Sequence, residues 1–218
     1  MNFKFHDRAH AAALLEKSLT QYRNTRSVIL AVPRGGVALG YPLAKSLHLP
    51  LDLLMAKKIG HPFNREYAIG SVTLNDVILN EDITDVSHDY VVRESGRIQQ
   101  DLVSRYQKLM KGKKPISLRG KKVIIVDDGI ATGYTLKACL KSLRHQKPSR
   151  IIVAVPVAPP ESLRRLQSEA DEIICLQQPK NFNSVSQYYD HFEEVTDEDI
   201  KKMMEALASH ADNPSKIL

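Results

Sequence analysis

The sequence predicts an α/β fold: a doubly wound, mainly parallel twisted sheet with helices on both faces. Three observations predict it. Short, continuous apolar runs recur along the chain, the pattern of strands buried on both faces. A segment with helical spacing follows most of these runs, the alternation that builds βαβ units. The chain has 218 residues, 43% of them hydrophobic and 26% charged, which suffices for a proper core without staples.

The elements follow in order. His6–Tyr22 has helical apolar spacing, with Asp7 as N-cap. Ser27–Val32 (SVILAV) is the first strand; the breaker PRGG and a helix over Val37–Leu47 follow it. Leu51–Ala56 is a second strand, and Ile69–Leu79 offers two short strands around the turn pair Asn75-Asp76. Residues 85–111 read as a helix with a charged exposed face. Val123–Val126 is a third apolar strand, leading to a helix over Gly133–Arg144. Ile151–Val155 is a fourth strand, a helix opens near Pro159-Pro160, and Asp171–Leu176 is a fifth strand. In such sheets ligands bind beyond the carboxyl ends of the strands. The loops after Val32, Ala56, Val126 and Val155 are therefore expected to share one edge.

Charge sharpens the search. The formal charge is +6, but residues 104–150 carry 13 basic and 2 acidic groups, and residues 151–218 carry 6 and 12. A basic middle suggests an anionic partner, nucleic acid or a phosphorylated small molecule. Arg105, Lys108, Lys111, Lys113, Lys114, Arg119, Lys121 and Lys122 could serve a nucleic-acid surface, but no recognition-helix or aromatic RNA-binding signature accompanies them. Cys139 and Cys175 are too few for a zinc knuckle. With no signal peptide and no apolar run long enough for a membrane span, a cytoplasmic protein is expected.

The strongest motif is residues 123–135, VIIVDDGIATGYT. Two adjacent carboxylates, Asp127 and Asp128, stand where a buried strand leaves the sheet, and a small-residue loop then opens a helix. Unpaired N–H groups at a helix start, close approach at Gly133 and the hydroxyls of Thr132 and Thr135 make an anion cradle. The carboxylates would repel phosphate and accept hydrogen bonds from neutral hydroxyls instead. Phosphate donors beside paired acceptors describe a sugar phosphate. G-x-x-x-x-G-K-[ST] and G-x-S-x-G are both absent.

The motif resembles the phosphoribosyl diphosphate (PRPP) signature of type I phosphoribosyltransferases. That resemblance implies the type I fold with a small hood, Asp127 and Asp128 on the ribose hydroxyls, and Ala131, Thr132, Gly133, Tyr134 and Thr135 around the 5′-phosphate. It implies that Arg34, Gly35 and Gly36 grip the diphosphate, in a loop that in this family can contain a non-proline cis bond. Lys57-Lys58, at the expected end of the second strand, resembles a basic diphosphate-binding pair. The stretch from Ile59 to Gly70 matches a mobile catalytic loop with His61, Arg65, Glu66 and Tyr67 as candidates. The catalytic set so implied is Asp127, Asp128, Arg34, Lys57 and Glu66.

The reaction implied is displacement of diphosphate from ribose C1 by a nitrogen acceptor, with Mg²⁺ as cofactor. Magnesium is expected through substrate oxygens and water with Asp127 or Asp128 nearby, not in a protein-only cage. Ala131 stands where the 6-oxopurine branch carries an aspartate, which argues against a hypoxanthine or guanine enzyme of that branch. Hood elements are expected from 1–25, 59–90 and 177–218 of one phosphoribosyltransferase domain spanning 1–218, with Ile130 and Phe182 as base-binding candidates. Tyr189 and Phe192 read instead as aromatics pinning the tail to the core. With VPRGG and K-K-I-G, the whole chain is similar to bacterial phosphoribosyltransferases inferred from sequence, whose acceptor is unassigned. The implied partners are PRPP, an unidentified base and, as an option, a second copy in a homodimer; nucleic acid and membrane are not expected. The alternative is a non-catalytic PRPP- or nucleotide-binding regulator on the same fold.

Overall fold

The computed structural model describes residues 3–65, 67–80, 83 and 85–211. Five parallel strands form the main sheet: β1 (Ser27–Ala31), β2 (Leu51–Leu53), β6 (Lys122–Val126), β7 (Arg150–Val157) and β8 (Glu172–Gln177). Their spatial order is β2-β1-β6-β7-β8, and register runs across the sheet through Ala31↔Val126 and Val126↔Ala154. A second, antiparallel sheet holds β3 (Ala56–Gly60), β4 (Ala68–Thr73) and β5 (Val77–Leu79). This small sheet is the hood element.

Alternate side chains of the parallel strands feed two cores. Ile29, Ala31, Ile124, Val126, Ile152 and Ala154 enter one; Val28, Leu30, Val123, Ile125, Ile151 and Val153 enter the other. Burial of each such Ile or Val contributes roughly 1.5–3 kcal/mol. The first core is covered by α1 (Arg8–Leu19), α2 (Gly35–Leu47), α3 (His88–Leu109) and α6 (Asp197–Ala211). The second is covered by α4 (Tyr134–His145) and α5 (Pro160–Leu166). Asp7 caps α1 as expected, accepting from the His10 N–H at 2.7 Å.

Two expectations need correction. The second apolar run is not one strand: β2 stops at Leu53, the Leu54 N–H donates to the Ala31 carbonyl at 2.9 Å, and the chain enters the other sheet at Ala56. Lys57 and Lys58 thus do not end a strand of the main sheet; they sit within β3, opposite Val72 and Ser71. Helix α6 lies beyond every element that the sequence pattern predicts. Its start carries a reciprocal cap: the Thr196 hydroxyl accepts from the Asp199 N–H at 3.1 Å and the Asp199 carboxylate accepts from the Thr196 N–H at 2.9 Å.

Candidate functional site

The site is built where β6 leaves the sheet. The Asp128 N–H donates to Asp127 Oδ1 at 2.9 Å, fixing that carboxyl at the strand end. The loop then turns under β7, with the Ile130 N–H donating to the Val157 carbonyl at 2.9 Å. Gly133 sits at φ 74°, a left-handed position that suits glycine, and caps α4. The first N–H groups of that helix have no helical acceptor. From α5, the Ser162 hydroxyl donates to the Ala131 carbonyl at 2.5 Å and Arg165 donates to the Thr132 carbonyl. Both carbonyls are thereby taken up on the α5 side.

Asp127, Ile130, Ala131, Thr132, Gly133 and Thr135 line one cavity of about 240 Å³. Val32, Pro33, Leu54, Met55, Ala56, Leu102 and Arg105 complete much of its wall. Tyr134, although inside the motif, is 60% exposed and off this wall; its ring carries the Arg165 guanidinium at 4.0 Å. Cys139 also reaches the cavity, but burial pushes its thiol up to about 12, so it offers no thiolate.

The acid pair is asymmetric. Asp127 faces the cavity, and burial followed by the neighbouring Asp128 charge holds its carboxyl well above the ordinary range. Asp128 is buried behind it, where Arg8 Nε donates to its Oδ2 at 2.9 Å. Burial raises this carboxyl too, and Arg8 opposes the rise. The Tyr189 hydroxyl donates to the Asp128 carbonyl at 2.7 Å. Arg8 also lies 3.9 Å over the Phe192 ring and donates to the Glu193 carbonyl. Tyr189 and Phe192 do pin the tail: their rings are 5.1 Å apart, and Tyr189 packs 5.3 Å from Phe5.

The basic loop is packed against the same acids. The Pro33–Arg34 bond is cis. A Cβ on Gly35 would fall 1.9 Å from Asp128 Oδ2, and one on Gly36 would fall 2.7 Å from the Val126 carbonyl. Only glycine permits that approach. The Arg34 guanidinium pairs with Glu194 at 2.6 Å, both side chains well exposed. Lys57 is exposed in β3, and neither it nor Lys58 is on the cavity wall. His61 is buried beside Asp85 at 3.2 Å, with its ring near Phe63 and Tyr67. Glu66 lies outside the described residues. Phe182 stacks on Tyr188 with centroids 5.6 Å apart, also off the cavity wall.

The family model described as "Phosphoribosyl transferase domain" matches residues 5–193. The chain belongs to this phosphoribosyl transferase family. It is 36% identical over 200 residues to the Mycobacterium tuberculosis H37Rv protein "Putative phosphoribosyl transferase Rv0571c", covering 90% of this chain and 45% of that one. The chain thus spans about half the length of the curated relatives it matches. Among solved structures, TT1426 from Thermus thermophilus is 36% identical with a TM-score of 0.84, covering 93% of this chain and 98% of the other.

The family match ends before Glu194 and α6, so two contacts to the site come from outside it. One is Glu194 on Arg34; the other is Asp197 of α6, whose Oδ1 accepts from Arg105 Nη2 at 2.6 Å. Motif reading misses Arg8, and it weighs Arg105 only as part of a nucleic-acid surface. Each owes its place to a partner distant in sequence. The capping pattern Thr196–Asp199 is a usable signal for α6, and through it for Asp197.

Proposed function

We propose that this phosphoribosyl transferase family protein transfers the 5-phosphoribosyl group of PRPP to a nitrogen acceptor, probed first with nucleobases and related heterocycles, and releases diphosphate. What carries the reading is the cavity in which the Asp127 carboxylate stands beside the Ala131–Thr135 cradle. Asp127 accepts from a ribose hydroxyl, and Asp128, behind it, completes the acid pair. The cradle N–H groups and the Thr132 and Thr135 hydroxyls hold the 5′-phosphate. Ile130 lines the cavity and offers an apolar surface to the acceptor ring. Phe182, stacked on Tyr188 and off the cavity wall, is the weaker base-binding candidate.

In the reaction the C1–O bond to diphosphate breaks and the C1–N bond forms, with the bonding pair leaving on diphosphate and the proton of the acceptor N–H passing to water. The chain's contribution is positioning and electrostatic stabilisation. Gly35 and Gly36 bring the basic loop onto the acid pair, and Arg34, Lys57 and Lys58 are basic groups carried by elements around that edge. Asp127 is the one carboxylate among the described residues lining the cavity, and would offer an oxygen ligand to a magnesium ion carried in largely by substrate oxygens. Bound there, Mg²⁺ would neutralise the leaving diphosphate. We place the protein in the cytoplasm, in keeping with its two free cysteines. No helix among the described residues is long and apolar enough to cross a membrane.

The test is a screen of nucleobases and other nitrogen heterocycles with PRPP and Mg²⁺, reading diphosphate release. Acceptor-dependent release supports the transferase. Tight PRPP binding without release across the whole screen supports the regulatory alternative, and no PRPP binding overturns both.

A further inference from the structure

We propose that Arg105 of α3 is a further cation that receives the diphosphate of PRPP, and that Asp197 of α6 positions it. The inference rests on the PRPP reading and adds to it a residue that the signature does not contain. With ribose at Asp127 and the 5′-phosphate at Ala131–Thr135, the remaining wall is largely apolar, including Leu54, Met55 and Leu102. A multiply charged leaving group in such a space needs a charged donor. Among the described residues that line the cavity, Arg105 is the one cation.

The guanidinium is held for this task. Its Nη2 donates to Asp197 Oδ1 at 2.6 Å and its Nε to Oδ2 at 3.4 Å. That fork uses two of five N–H donors and leaves three for a ligand. Leu102, one turn earlier on α3, is buried in the core and fixes the helix face. On its other side Arg105 borders a second cavity of about 320 Å³ that also holds Lys108 and Lys201. That wall is mixed in charge, because Asp101 and Asp197 line it too.

Calorimetry in Mg²⁺ with three probes, PRPP, ribose 5-phosphate and inorganic diphosphate, tests the assignment. Arg105→Gln should weaken PRPP and diphosphate by about tenfold or more while ribose 5-phosphate stays within about twofold. Arg105→Lys should fall between, since an ammonium restores charge without the fork. Asp197→Asn should show the same ligand selectivity at smaller size, and Asp197→Glu should restore most of it; a merely structural role would move all three ligands together. Wild-type diphosphate affinity in Arg105→Gln, or equal losses for all three probes, overturns the inference. If wild type binds ribose 5-phosphate but Arg105→Gln changes nothing, this inference alone has failed. If wild type binds neither PRPP nor ribose 5-phosphate, the PRPP reading has failed with it.

Discussion

One wall of the cavity, Asp127, 129–133 and Thr135, comes from the single stretch that leads from β6 into α4, whereas the other gathers Pro33, Leu54–Ala56, Leu102 and Arg105 from separate segments. The continuous wall presents backbone groups and one carboxylate, held by neighbours a few residues away and by α5. The gathered wall includes Arg105, whose direction depends on a distant partner, Asp197; off the wall, Arg34 depends likewise on Glu194, and Tyr106, next to Arg105 on α3, on Asp52. A short motif therefore fixes where a sugar phosphate would lie. Under the proposed assignment, the cation that meets the leaving group is placed by the packing of α3 on the hood sheet and of α6 on α3.

Four substitutions would break or sharpen that contrast. The largest effect is expected for Arg8→Ala, which strands the buried Asp128 carboxylate without its cation. Chemical denaturation should show a loss of about 3 kcal/mol, and a loss below about 1 kcal/mol would mean that Asp128 does not depend on its distant partner. Next comes Gly35→Ala, whose Cβ would collide with Asp128 Oδ2. PRPP affinity by calorimetry should fall about 30-fold, in keeping with roughly 2 kcal/mol of overpacking; unchanged affinity would separate the basic loop from the acid pair.

Glu194→Gln is a smaller perturbation, because the Arg34–Glu194 pair is exposed. If Arg34 serves diphosphate, its release should raise PRPP affinity by up to about threefold, the size of a surface ion pair. A fall instead would make Glu194 part of the binding wall. The smallest effect is on stability in Asp197→Asn. The Arg105 hydrogen bond holds the Asp197 carboxyl below its ordinary value of 3.8. The stabilisation is thus present above that pH and lost as pH falls through the depressed folded-state value. Wild type should exceed the variant by roughly a few tenths of a kcal/mol at neutral pH, after allowance for solvent screening. The two denaturation curves should converge in acid, and a gap that widens there would contradict the ion pair.

The charge map changes meaning on the same grounds. The basic excess of 104–150 and the acidic excess of 151–218 are partly reconciled by pairing: Arg105 with Asp197, Lys111 with Glu205, and Arg144 with Asp171. A basic stretch that reads as a nucleic-acid surface along the chain is, in three dimensions, partly the seat of the acidic tail.

From sequence alone came the parallel strands, the order of strand and helix, and the 127–135 wall, because apolar period, glycine placement and helix starts are local properties. The end of β2 was not legible, because Leu51–Ala56 is apolar at nearly every position and hydrophobicity does not say which of two sheets a residue joins. Nor were Arg8–Asp128 and Arg105–Asp197, pairs 120 and 92 residues apart. The direction of a long charged side chain follows the carboxylate that folding brings within reach, and only tertiary structure decides that.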